Sequence, residues 1–66
     1  MYPIQSQMLT ELRNFAKDPG ALFMLIKSPY GRVPIWAEDI ALTKDDIELK
    51  ALVARCVDQY FSTETN

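Results

Sequence analysis

Along residues 3–17 the apolar positions recur at the period of an α-helix. Ile4, Met8, Leu12 and Phe15, with Leu9 and Ala16 beside them, fall on one side. Ser6, Gln7, Thr10, Glu11, Arg13, Asn14 and Lys17 fall on the other. This pattern predicts an amphipathic helix. Pro3 suits the first turn, where a missing N–H costs nothing. Pro19 disfavours helical geometry at Asp18, and Gly20 relaxes the turn, so the helix should stop near Lys17.

From residue 21 the period changes. "ALFMLI" is a continuous apolar run, "SPYG" is a turn signal, and "RVPIWAE" alternates. Val33, Ile35 and Ala37 point one way; Arg32, Pro34, Trp36 and Glu38 point the other. An apolar run, a tight turn and an alternating run predict a β-hairpin with strands at about 21–27 and 32–38. Pro29 pre-sets φ at the second turn position and Gly31 supplies a left-handed residue. Pro34 requires a place where no ladder donor is needed, an open edge or a bulge. The leucines, methionine and alanine of the run also favour helix, with Asp18 and Pro19 as its cap and first residue. An all-α chain with residues 19–28 helical is therefore the alternative.

A second long helix is predicted over residues 43–61. Thr43 is the expected N-cap, with Asp46 three residues on, and Asp45, Asp46 and Glu48 suit the positive end of the dipole. Leu49, Leu52, Val53, Ala54, Cys56, Val57, Tyr60 and Phe61 cover more than half its circumference, wider than a surface helix needs. Residues 62–66 read as a frayed polar tail.

The order α-β-β-α predicts a small α+β fold, one domain over residues 1–66. A lone two-stranded hairpin is marginal in water, so both helices should pack on it. One face of "ALFMLI" presents Leu22, Met24 and Ile26, the other Ala21, Phe23 and Leu25. Two helices on a single face cannot hide both sets, which predicts a homodimer. The competing reading encloses the first strand between the helices of one monomer.

Composition narrows the means of stabilisation. The chain has 66 residues, one cysteine and no histidine. An internal disulfide is impossible and a zinc site lacks its usual ligands. The apolar share of 48% is enough to attempt a core. The longest apolar run spans six residues, 21–26, far short of a membrane span. The first residues lack the pattern of a secretory leader. The expected location is the cytoplasm, that of the host cell if the chain is phage-encoded. Phages and mobile elements commonly encode chains of this size.

Candidate chemistry is sparse. Histidine, the commonest general base, is absent. Cys56 sits on the apolar arc late in the last helix, where the dipole raises its pKa, and reads as a core residue. The adjacent pairs Glu38–Asp39 and Asp45–Asp46 do not converge as acid/base dyads. Two glycines cannot build a phosphate loop. No enzyme activity and no cofactor are expected. Glu38, Asp39, Asp45, Asp46 and Glu48 lack the spacing of a calcium loop, so no metal is expected either.

What remains is binding. If Val33 and Ile35 face the helices, Trp36 lies on the opposite face with Tyr30 and Arg32 nearby, residue types that anchor interfaces. The opposite register makes Trp36 the core anchor instead. The partner-binding candidates are Tyr30, Arg32, Trp36, Glu38, Asp39, Asp45, Asp46 and Glu48, the acidic members suiting a basic protein surface. The formal net charge is −2 and the seven basic residues are scattered, which disfavours nucleic acid. The expectation is a non-catalytic protein-interaction module, a regulator or inhibitor of a host protein or complex. The alternative is a dimeric nucleic-acid-binding regulator using Lys27 and Arg32 with the first helix.

Overall fold

The structure, a computed structural model, describes residues 4–62. It is α+β in the order helix, two antiparallel strands, then helices: α1 (Ser6–Ala16), β1 (Phe23–Ser28), β2 (Gly31–Trp36), α2 (Ala37–Leu42) and α3 (Asp46–Ser62). The predicted all-α alternative is overturned, because residues 23–28 pair with β2 rather than coil. Cross-strand packing outweighs helix propensity there. Pro3 and residues 63–66 lie outside the described residues. Ser62, assigned to a frayed tail by its polarity, closes α3.

Gln5 precedes α1 with extended backbone, and its carbonyl accepts from the N–H groups of Met8 and Leu9. The exit is a turn in which Ala21 N–H donates to the Asp18 carbonyl, with Pro19 at the second position. The Asp18 carboxylate accepts from Gly20 N–H at 2.9 Å.

The hairpin loop is Pro29-Tyr30, closed by the pair Ser28–Gly31. Ser28 Oγ donates to the Gly31 carbonyl at 2.7 Å and accepts from Tyr30 N–H at 3.2 Å. Gly31 has φ of 135°. That conformation strains any residue with a Cβ, and a Cβ here would stand 3.4 Å from Phe61 Cζ.

Two predicted boundaries move. The second strand ends at Trp36, and Ala37 and Glu38 belong to α2, which the alternation concealed. The ladder continues one step, with Ala37 N–H donating to the Leu22 carbonyl at 2.9 Å, and the chain then coils. Coiling buries Ala37 and Ile40 together, three residues apart on one side. The last helix starts at Asp46 rather than Thr43. Asp45 is its cap: its Oδ1 accepts from Glu48 N–H at 2.9 Å, and Glu48 Oε1 accepts from Lys44 N–H at 2.8 Å. This reciprocal arrangement resembles a capping box displaced two residues from the expected one. Thr43 instead closes α2, its N–H and Oγ1 both donating to the Ile40 carbonyl.

The helices cover one face of the hairpin. Leu9 and Leu12 of α1, Ile26 of β1, Val33 and Ile35 of β2, Ile40 of α2, and Leu49, Leu52, Val53 and Val57 of α3 form one buried cluster. α3 packs across β2, and α1 packs against α2. Arg13 fastens the helical layer. Its guanidinium donates to the carbonyls of Ile40 at 3.2 Å and of Thr43 and Asp45 at 3.0 Å. The first receives a cation at a helix C-terminus, where the dipole favours it. Sequence polarity placed Arg13 on the solvent side of α1; the structure gives it a bracing role between helices.

Candidate functional site

Strand alternation sends Val33 and Ile35 into the core and leaves Phe23, Leu25, Pro34 and Trp36 on the opposite face. In register, Phe23 stands across from Trp36, Leu25 from Pro34, and Lys27 from Arg32. The face thus has two apolar rungs and one basic rung. The rings of Phe23 and Trp36 lie 5.1 Å apart, tilted by 55°, a favourable aromatic geometry. Phe23 is 44% exposed, Leu25 50% and Trp36 47%. The competing sequence reading, with the first strand enclosed inside one monomer, does not describe this molecule.

The ladder's parity explains Pro34. Ala37 bonds to Leu22, so Phe23–Trp36 and Leu25–Pro34 are non-hydrogen-bonded pairs. The nitrogen of Pro34 points to the open edge, as a proline in a strand requires.

Beside the apolar rungs lies a shallow groove of about 600 Å³, whose walls include Pro34, Trp36, Asp39, Cys56 and Tyr60. Burial pushes the Cys56 thiol above its ordinary pKa, the Asp39 carboxylate adds to this, and Arg55 opposes it. The main cause is therefore desolvation rather than the helix dipole. A thiol held protonated is a poor nucleophile.

The eight predicted binding residues divide. Trp36 and Asp39 share the groove just described. Arg32 joins Lys27 at the turn end of the outer face. Tyr30 is 70% exposed and rests its ring 5.7 Å from that of Phe61. Glu38 is exposed in the first turn of α2, next to Trp36 in the chain. Asp45 and Glu48 are engaged in capping α3, and Asp46 is exposed in its first turn. Asp39 and Glu48 border a separate groove of about 300 Å³ with Arg55. The acidic segment is thus distributed between two helix starts. Among the described residues no group of three metal-ligating side chains comes together.

Phe23 and Leu25 were missing from the predicted site, although the register with Trp36 brings them to its centre. The signal was the two-faced hydrophobicity of "ALFMLI", read as a general surplus rather than as specific neighbours of Trp36. Among the described residues no helix is long and apolar enough to cross a membrane. No protein-family model, curated protein or solved structure matches this chain.

Proposed function

We propose that this chain is a non-catalytic protein-interaction module, a regulator or inhibitor of another protein, and that the outer face of its hairpin is the binding surface. The observation that carries this reading is the Phe23–Trp36 pair, two large rings packed together yet each nearly half exposed, continuous with Leu25 and Pro34. Contiguous apolar surface rimmed by polar residues marks interaction sites, and aromatic anchors carry most of their energy. The rim is bipolar. Lys27 and Arg32 lie at the turn end, and Glu38 and Asp39 follow Trp36 at the other. A fitting target presents an apolar ridge flanked by a basic surface on the α2 side and an acidic one at the hairpin tip.

The nucleic-acid reading draws on the Lys27–Arg32 pair and, from the first helix, on the exposed Lys17 at its end. Arg13 is committed to three backbone carbonyls, and so few cations give a small phosphate footprint. The experiment that separates the readings is capture from an extract of the source cells with wild-type and Trp36→Ala chains, alongside retention on DNA over a salt series. The proposed reading expects a discrete protein captured by the wild type and lost with the variant, and no DNA retention at moderate salt. DNA retention that falls steeply with salt would contradict it.

A further inference from the structure

The two edges of the hairpin are not equivalent. On β2 the outward-facing backbone positions are Arg32, Pro34 and Trp36, and the central one has no N–H to offer. On β1 they are Phe23, Leu25 and Lys27, each with both a donor and an acceptor. The β2 edge is blunted against pairing and the β1 edge is not. Beside β1 runs a groove of about 320 Å³ against α1, with Met8, Glu11, Met24 and Lys27 among its walls. A strand laid along this edge would drop alternate side chains into that groove.

We propose that the occupant of this edge is a second copy of the chain, its β1 antiparallel to the first about a two-fold axis at Leu25. The sequence of β1 is self-complementary in this register. Leu25 meets Leu25 of the copy, Met24 meets Ile26 on the helix side, and Phe23 meets Lys27 on the outer face. The outward donors and acceptors form about six main-chain hydrogen bonds. Lys27 extends its apolar stem and charge over an aromatic face. The two Lys27 ammonium groups stand at opposite ends of the new rung set, about 14 Å apart. That distance exceeds the Debye length of about 8 Å at physiological salt. The pairing joins two marginal hairpins into one four-stranded sheet, and the isologous symmetry needs a single kind of contact. The outer face then carries Phe23, Leu25 and Trp36 twice over, in one continuous band.

The pairing uses the β1 backbone and the target surface uses outer-face side chains, so Phe23, Leu25 and Lys27 serve both while Trp36, on β2, belongs to the target surface alone and tests it apart. Sedimentation equilibrium at micromolar concentration should give twice the chain mass of 7.6 kDa. Leu25→Lys, at a half-exposed position, should raise the dimer dissociation constant about tenfold or more by placing two cations on the axis. Leu25→Cys in a Cys56→Ser background should form an intermolecular disulfide, because a hydrogen-bonded strand pair spaces its Cα atoms by about 5.5 Å. Trp36→Ala should leave the dimer intact. A wild-type monomer, or a Leu25→Lys chain that dimerises as tightly as the wild type, overturns the proposal. So does a dimer lost with Trp36→Ala and kept with Leu25→Lys. If the dimer holds while no target depends on Trp36, the proposed function fails and the edge pairing stands.

Discussion

The indole of Trp36 packs against the ring of Phe23 across the first rung of the hairpin, their centroids 5.1 Å apart. Their strand neighbours Ile35 and Met24 point to the opposite face, where Ile35 is fully buried. Position 35 serves the core and position 36 serves the surface, one residue apart.

This division predicts contrasting substitutions. Trp36→Ala loses an exposed aromatic pair, about 1 kcal/mol, so the melting temperature should fall by roughly 4–8 °C with helix content retained. Ile35→Ala opens a cavity in the core and should cost about 2–5 kcal/mol. A chain of 66 residues has on the order of 3–10 kcal/mol in total, so the second variant should lose a large share of its stability and melt well below Trp36→Ala. Circular dichroism melts compare them directly. If Trp36→Ala unfolds as readily as Ile35→Ala, the tryptophan belongs to the core.

Arg13 should matter more than its polarity suggests. Arg13→Ala leaves the Thr43 carbonyl without the guanidinium and loosens the α1–α2 contact. Hydrogen bonds from charged donors are worth about 1.5–3 kcal/mol. Arg13→Lys should recover only part of this, because an ammonium cannot fork to carbonyls on both sides. Chemical denaturation of the three chains should rank them wild type, lysine, alanine. Equal midpoints for wild type and Arg13→Ala would remove the bracing role.

Gly31→Ala should destabilise by about 1–3 kcal/mol through its backbone conformation alone, since a Cβ there meets Phe61 Cζ at 3.4 Å, an ordinary contact. Gly20→Ala is the control, since the nearest atom to a Cβ there is Asp18 Oδ1 at 3.6 Å. It should be close to neutral by comparison. A melting point for Gly31→Ala equal to that of Gly20→Ala would contradict the turn geometry.

Cys56 links stability to pH. Its thiol pKa is raised in the folded chain, first by burial and then by Asp39. The folded state therefore holds the proton to higher pH than the unfolded state does. The stability this confers is fully present below the unfolded thiol pKa and is lost as pH rises through the folded one. Denaturation midpoints of wild type should fall with alkaline pH more steeply than those of Cys56→Ala. Alkylation of the native thiol should be slower at neutral pH than that of a free cysteine. Identical alkaline slopes for the two chains would contradict the shift.

The main elements were legible because their periods were clean. Leu9 and Leu12, and the alternation around Val33 and Ile35, name the buried faces directly. α2 was not, because Ala37 extends the parity of Val33 and Ile35 while already beginning a helix. Without that helix Ile40, a fully buried residue, had no assigned place. The cap of α3 was misplaced because Thr43 and Asp45 both begin plausible boxes, and only the C-terminus of α2 decides between them. At the candidate site, Trp36 followed from strand parity. Phe23 required the strand register, which turn position fixes and periodicity does not. Arg13 could not be read from helix polarity, since its acceptors lie about thirty residues away on the folded backbone.

The most direct measurement of the binding face is site-specific photo-crosslinking in source cells, with a benzophenone amino acid at position 36 and, as control, at the exposed position 58 on α3. The account predicts a discrete adduct with another protein from position 36 and none from position 58. The same adducts from both positions, or none from position 36, would contradict it.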